Sequence, residues 1–116
     1  MTMSIESQEK ALVFRRFLMV AYGLSEGDID VFMKVSQLTS TDVEKLAQEV
    51  KISKSRVSLI LKKLSDVGLL EKTKQGSTTG GRPRYIYKVN KDAVKSHMMG
   101  RAEELCSTLR EVIKNL

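Results

Sequence analysis

Cysteine and histidine are almost absent from the sequence. Among its 116 residues there is one cysteine, Cys106, and one histidine, His97. A single cysteine excludes an intrachain disulfide and a cysteine-cluster metal site, and a single histidine excludes the usual zinc constellations. No paired carboxylates stand beside a recognisable base, so no catalytic residue can be assigned. We therefore expect no enzyme activity, no metal and no cofactor.

Long apolar runs are also lacking. No run of 18 apolar residues is present, so we expect no membrane-spanning segment. The first ten residues, MTMSIESQEK, contain acidic residues and no apolar signal core, which predicts the absence of a secretory signal. A chain of this length can bury one modest core. We expect a single domain over residues 1–116 in the cytoplasm, associated with the nucleoid.

The positive charge is concentrated in one part of the chain. The net charge is +6, yet residues 1–50 contain five lysines and arginines and eight acidic residues, a net charge of −3. Residues 51–91 contain eleven lysines and arginines and two acidic residues, a net charge of +9, and residues 92–116 have four of each. An anionic polymer partner requires such a basic segment, although a charge run alone is usually a solvated face.

The basic segment has the pattern of two short helices joined by a tight turn. Thr41 and Glu44 have the spacing of a capping box, which predicts a helix that starts at Asp42. After a turn, Ser53 is placed to cap the next helix, predicted over residues 54–67, and Gly68 is placed to end it. This is the pattern of a helix-turn-helix.

The predicted helix over residues 54–67 has one apolar face and one polar, basic face. Its apolar residues recur at spacings of three and four and predict the buried face: Val57, Ile60, Leu61, Leu64 and Val67. An α-helix fits the major groove of B-form DNA, and its N-terminal residues read most of the bases. Arg56 can bond bidentately to guanine, whereas Lys62 and Lys63 are better placed for phosphate.

Two short alternating segments follow this helix and predict a β-hairpin. Residues 69–74 and 84–89 alternate apolar and polar side chains, as antiparallel strands do. The glycine-rich connection between them is too long for a tight turn, so we predict a wing over residues 75–84 that lies on the DNA backbone or minor groove. The predicted DNA-contacting residues are Lys54, Ser55, Arg56, Ser58, Lys62, Lys63, Lys74, Arg82 and Arg84.

The core spans residues 25–89 and begins with a helix for which Ser25 and Asp28 have the spacing of a capping box. Long helices are predicted on both sides of this core. The N-terminal helix, over residues 5–22, is apolar on more than one side, and the final helix runs from its cap at Asn90 to Leu116. A helix of about 38 Å is too long to bury its whole apolar stripe on so small a body. Packing on the first helix of the same chain is one interpretation, and a dimer seam is the other. The residues predicted for that seam are Phe14, Leu18, Met98, Leu105, Leu109, Val112 and Leu116.

Two stretches resemble a known group of proteins. Residues 53–64 (SKSRVSLILKKL), followed by VGLLEK at residues 67–72, are similar to the recognition helix and first wing strand of winged-helix transcription regulators. The GGRPRYIY segment at residues 80–87 resembles the wing of archaeal TrmB-like and Lrp-related regulators, whose architecture MarR and ArsR regulators share. The resemblance implies a mainly α fold with a small β-hairpin, a winged helix-turn-helix. It also implies a homodimer, formed by the flanking helices, that binds double-stranded DNA near promoters.

Alternatives to a homodimeric regulator remain open. A nucleoid-associated architectural protein would need the same basic surface, because phosphate neutralisation gives affinity irrespective of sequence. A protein-interaction winged-helix module is a further alternative, but the charge of residues 51–91 opposes it. Cys106 is predicted to be a small buried hydrophobe, or else an interchain disulfide if the terminal helices pair. The sequence does not identify an effector ligand.

Overall fold

A computed structural model describes residues 5–75 and 84–116 and contains five α-helices and one antiparallel hairpin. The elements are α1 (Ile5–Tyr22), α2 (Glu26–Gln37), α3 (Val43–Val50), α4 (Lys54–Asp66), β1 (Glu71–Gln75), β2 (Arg84–Lys88) and α5 (Lys91–Lys114). The predicted fold class, mainly α with a small β-hairpin, is confirmed. No helix among the described residues is long and apolar enough to cross a lipid bilayer.

The starts of α2 and α4 follow the predicted caps. Ser25 Oγ accepts a hydrogen bond from the Asp28 amide at 3.1 Å, and Asp28 Oδ2 accepts one from the Ser25 amide at 2.9 Å. This reciprocal pair is a capping box. At the next cap, Ser53 Oγ accepts from the Arg56 amide at 3.2 Å. Local sequence therefore sets where both helices begin.

The predicted capping box at Thr41 and Glu44 is wrong. The cap of α3 is Asp42, whose Oδ1 accepts a hydrogen bond from the Lys45 amide at 2.9 Å. Thr41 is instead buried in an isolated antiparallel bridge with Tyr87. The Thr41 amide donates to the Tyr87 carbonyl at 2.9 Å, and the Tyr87 amide donates back at 2.8 Å. Because this pairing fixes Thr41 beside β2, the capping role passes to the following residue.

The core lies between α2, α3 and α4, and α1 and α5 each contribute one buried residue, Leu18 and Val94. Its buried apolar residues are Leu18, Leu24, Ile29, Val31, Phe32, Val35, Leu46, Ala47, Val57, Ile60, Leu61, Leu64, Leu69, Leu70, Tyr87 and Val94. Leu18 was expected in the dimer seam, but its exposure within the single chain is 0%. A side chain with no accessible surface cannot contact a partner, so Leu18 is a core residue.

Helix α5 leaves the body of the protein after its first half. Val94 is buried, and Met98, Arg101, Ala102 and Leu105 are partly buried, whereas all residues from 106 to 116 are exposed. The molecule measures 61 × 34 × 25 Å. The expectation that Cys106 is buried is wrong, because it lies at the start of this exposed half.

Two turns around α4 adopt left-handed backbone conformations. Gly68 has φ +86°, and the Leu69 amide donates to the Leu64 carbonyl at 2.9 Å, which ends α4 as predicted from the glycine. Lys51, between α3 and α4, has φ +56° although it carries a side chain. The left-handed region costs about 1–2 kcal/mol for a residue with a Cβ atom.

Replacing Lys51 by glycine is expected to raise the free energy of unfolding by about 0.5–1 kcal/mol. The relief of backbone strain exceeds the conformational entropy that glycine gains in the unfolded chain. Urea denaturation monitored by circular dichroism measures the change. Lys51→Ala is the matched control, since it removes the same charge but keeps the Cβ atom. Equal stabilities of the two variants would contradict the assignment of strain to this residue.

Candidate nucleic-acid interface

Helix α4 has a buried stripe and an opposite polar face. The predicted buried face is confirmed by the burial of Val57, Ile60, Leu61 and Leu64. The opposite face exposes every side chain that was predicted to contact DNA from this helix: Lys54, Ser55, Arg56, Ser58, Lys62 and Lys63. Because α4 packs on both α2 and α3, the orientation of its polar face is fixed by the core.

Ion pairs engage the lysines of α4 to different extents. Lys54 Nζ lies 3.6 Å from Glu44 of α3, and Lys62 Nζ lies 3.2 Å from Asp66, one turn later in α4. Both are exposed pairs of the kind that contribute little to stability and that a phosphate can displace. Among the described residues, Arg56 forms no ion pair, so its guanidinium keeps its donors for a ligand.

Lys63 differs from the other lysines because it pairs with a buried carboxylate. Its Nζ donates to Asp28 Oδ2 at 2.7 Å, and the Asp28 side chain is almost fully buried. Burial is the largest influence on the pKa of Asp28 and raises it, but the hydrogen bonds from Lys63 and Ser25 together outweigh it. The pKa of Asp28 is therefore held below its ordinary value. This pair ties α4 to the start of α2.

The hairpin is fixed at its base and carries basic side chains toward its tip. Glu71 pairs with Lys88 at one end of the ladder, and Gln75 pairs with Arg84 at the other. Lys74 and Arg84 are exposed near the tip, as the DNA-contact prediction requires. The remaining predicted contact of the wing, Arg82, lies outside the described residues.

Between the hairpin and the helices lies a crevice of about 440 Å³. Its lining combines Asp42 and Glu44 at the start of α3, Ser58 of α4, and Lys72, Arg84, Tyr85 and Tyr87 of the hairpin. Lys72 Nζ lies 4.0 Å from the centre of the Tyr85 ring, a cation–π contact. Burial, with a smaller effect of Tyr85, raises the pKa of Tyr87, so its hydroxyl stays protonated at neutral pH. The crevice thus lies between α4 and the hairpin and is lined by groups of both charges.

A second polar cluster, which the sequence did not predict, joins α1 to α5. The Tyr22 hydroxyl lies 2.9 Å from His97 Nδ1, and the two rings stack with centroids 5.6 Å apart. Arg101 Nε donates to the Ala21 carbonyl at 3.3 Å. Burial raises the pKa of Tyr22, an effect that Arg101 opposes and Glu104 reinforces. The contact spans 75 residues of sequence, so no local pattern could have signalled it.

These residues line a cavity of about 630 Å³. It is open to solvent along α5, where a Cβ atom added to Gly100 would meet no other atom within 4 Å. The His97 ring lies 3.8 Å from the position of a Cβ atom on Gly68, at the end of α4. The end of α4 and the α1–α5 junction are therefore in close contact. No group of three or more metal-ligating side chains occurs in residues 5–75 and 84–116.

Residues 18–91 match the family model described as the sugar-specific transcriptional regulator TrmB. The match covers 74 of the 116 residues and includes α4 and both strands of the hairpin. The chain belongs to the TrmB family. The resemblance to TrmB-like regulators is therefore confirmed. No curated protein sequence matches the chain.

Solved structures of regulators superpose on this TrmB-family chain. A possible transcriptional regulator from Methanosarcina mazei Go1 has a TM-score of 0.74 at 22% identity, covering 88% of this chain and 87% of the other. A protein from the thermoacidophilic archaeon Sulfolobus tokodaii has a TM-score of 0.63 at 23% identity, over 92% and 99%. An ArsR-like transcriptional regulator from Rhodococcus sp. RHA1 has a TM-score of 0.58 at 14% identity, over 86% of each. These likenesses show the fold, and the family assignment makes the chain a transcriptional regulator of the winged-helix type.

The Asp28–Lys63 pair is expected to stabilise this TrmB-family protein above about pH 4. A lowered pKa in the folded state contributes stability above the unfolded value, and that contribution is lost as the pH falls through the folded pKa. Asp28→Asn keeps a capping oxygen but removes the charge, so it should lower the unfolding free energy by about 1–2 kcal/mol at pH 7. Below pH 4 its difference from the wild type should shrink.

Urea denaturation from pH 3 to pH 7 measures this difference. Asp30→Asn is the matched control, because Asp30 lies on the same helix and pairs with Arg15 at 3.1 Å in an exposed position. It should lower stability by less than about 1 kcal/mol. A constant gap between Asp28→Asn and the wild type over this pH range would exclude the charge as its cause.

Proposed function

We propose that the protein is a homodimeric regulator that binds double-stranded DNA, with α4 in the major groove and the hairpin on the flanking backbone. The observation that carries this proposal is the polar face of α4. The side chains of that face are exposed, while the opposite face is buried and α4 packs on α2 and α3. A helix held in this way fits a major groove about 12 Å wide.

The N-terminal half of α4 is proposed to read bases. Arg56 has an exposed guanidinium with no ion pair among the described residues, and bidentate bonding of arginine to guanine is the commonest specific base contact. Ser55 and Ser58 are short and exposed on either side of it, which allows the helix to lie close to the base edges. Lys54 and Lys62 are then available for phosphates, because their exposed ion pairs are weak.

The hairpin is proposed to contact the sugar–phosphate backbone. Its exposed Lys74 and Arg84 lie toward the end of the ladder that is remote from the core, and Arg82 belongs to the same proposed contact. Basic side chains on a wing bind phosphates without regard to sequence. The crevice between Ser58 and Arg84 separates the base-reading helix from the backbone-binding hairpin.

The proposed homodimer is formed by α1 and α5. These two helices, with Leu116 just beyond the end of α5, carry most of the large apolar side chains that the described structure exposes: Leu12, Val13, Phe14, Val20, Met99, Leu109, Val112, Ile113 and Leu116. Residues 106–116 are all exposed, so no element among the described residues buries the apolar surface at the end of α5. Phe14, Met98, Leu105, Leu109, Val112 and Leu116 are the proposed interface residues. A dimer also supplies two α4 helices for two half-sites of DNA.

Binding to DNA is tested by selecting duplexes from a random pool and titrating the best against a random duplex at two salt concentrations. A regulator should bind the selected duplex at least about a thousandfold more tightly. Similar affinities for both, with a steep loss at higher salt, would instead indicate an architectural protein. No binding to either duplex would exclude both and leave a protein-interaction module.

Arg56 and Arg84 are expected to affect binding in different ways. Arg56→Ala should weaken the selected duplex by about tenfold to a hundredfold with little effect on random DNA, because it removes a base contact worth about 1–3 kcal/mol. Arg84→Ala should weaken both duplexes alike and reduce the salt dependence. Arg110→Ala, at an exposed position of α5, is the control for loss of one positive charge. Equal behaviour of the first two variants would refute this division of roles.

The dimer is tested by placing charge on the exposed stripe of α5. The wild type should sediment as a dimer, and the double variant Leu109→Asp, Val112→Asp should sediment as a monomer. Its affinity for the selected duplex should fall at least about a hundredfold, since linkage of two binding units typically contributes this much or more. Ser107→Asp adds charge on the opposite side of the same helix and should remain dimeric. A monomeric wild type that binds the selected duplex normally would overturn the proposed assembly.

A further inference from the structure

Leu59 is an exposed apolar residue on the polar face of α4. Its side chain is 70% exposed, although leucine is one of the residue types most often buried. Apart from Leu59 and Tyr85, the large apolar side chains that the described residues expose lie on α1, on α5 or, for Leu116, two residues beyond the end of α5. Tyr85 has a partner, since Lys72 lies over its ring. The proposed dimer surface therefore does not account for Leu59.

The position of Leu59 on the helix directs it away from the core. At 3.6 residues per turn, the buried residues of α4 lie along one stripe, and the positions most nearly opposite that stripe are 55, 59, 62 and 66. Leu59 thus lies one turn beyond Ser55 and just before Lys62, in the middle of the proposed base-reading surface. Nothing in the packing of the single chain requires an apolar side chain there.

The major groove offers one apolar group to such a side chain. A·T pairs present the C5 methyl group of thymine, whereas the remaining groups on the base edges are hydrogen-bond donors and acceptors. Against those polar groups, an isobutyl side chain would exclude water without supplying a hydrogen bond, which is unfavourable. Contact with a thymine methyl group instead buries apolar surface on both partners.

We propose that Leu59 determines specificity by selecting a thymine through its methyl group, an inference that rests on the proposed placement of α4 in the major groove. Arg56 lies three residues earlier, and side chains at this spacing are about 5–6 Å apart. Bases along one strand are about 3.4 Å apart. The selected thymine should therefore lie within about two base steps of the guanine that Arg56 contacts.

Deoxyuridine substitution tests this contact, because uracil lacks the methyl group and keeps the hydrogen-bonding pattern of thymine. In the duplex selected by the wild type, each thymine is replaced singly by deoxyuridine, and binding is measured by fluorescence anisotropy. One position in each half-site should lose about fourfold in affinity, the effect of one buried methyl group. Replacement in both half-sites should lose about fifteenfold.

Leu59→Ala identifies the side chain responsible. This variant should bind the thymine duplex about as weakly as the wild type binds the duplex with uracil in both half-sites. It should no longer distinguish these two duplexes. Leu59→Met keeps an apolar side chain and should retain most of the discrimination. Ser107→Asp, on the side of α5 opposite the proposed seam, leaves α4 unchanged and should discriminate as the wild type does. Thermal unfolding checks that the variants are folded. The measurements of the wild type on uracil-substituted duplexes do not depend on any variant.

The outcomes separate this inference from the function on which it rests. If no substitution by uracil changes the affinity of the wild type, while the selected duplex remains strongly preferred over random DNA, the role of Leu59 is refuted and the regulator stands. The same conclusion follows if Leu59→Ala still discriminates thymine from uracil. If no duplex is preferred over random DNA, the proposed function itself fails.

Discussion

The packing of one face of α4 against α2 and α3 is the constraint on which the rest of the structure depends. Val57, Ile60, Leu61 and Leu64 are buried by this contact, so the orientation of the opposite face follows from it. The pairing of Thr41 with Tyr87 then holds β2 beside the start of α3. The hairpin and α4 are therefore attached to the same core, which fixes the positions of their basic residues relative to one another.

The parts of the fold that sequence could predict are those with local causes. The bounds of α1 match the prediction, the cap at Ser25 has both of its reciprocal hydrogen bonds, and Gly68 ends α4. Each depends on residues within a few positions of one another, through apolar periodicity, capping or the conformational freedom of glycine. The exposed face of α4 could be predicted for the same reason.

The errors all involve contacts between distant parts of the chain. Thr41 had the local spacing of a cap, but its backbone pairs with Tyr87, 46 positions away. Leu18 was assigned to the dimer seam from the apolar pattern of a single helix, which does not say which stretch packs on the core. Cys106 was expected to be buried from its residue type alone. The link between Lys63 and Asp28 also spans 35 residues, so no local pattern could have signalled it. Periodicity gives the face of a helix, whereas the partner of that face depends on the tertiary fold.

The connection between the hairpin and α5 has a mechanical consequence. Only two residues separate the end of β2 from the start of α5, and Asn90, one of them, both caps α5 and donates from Nδ2 to Glu71 Oε1 at 3.0 Å. The short connection and the two roles of Asn90 together restrict how the hairpin can be oriented relative to α5. In the proposed dimer, the pairing of the two α5 helices would set the distance between the two wings. A shift of their seam by one helical turn, about 5.4 Å, would change the distance between the two wings, and with it the length of DNA that the pair can span.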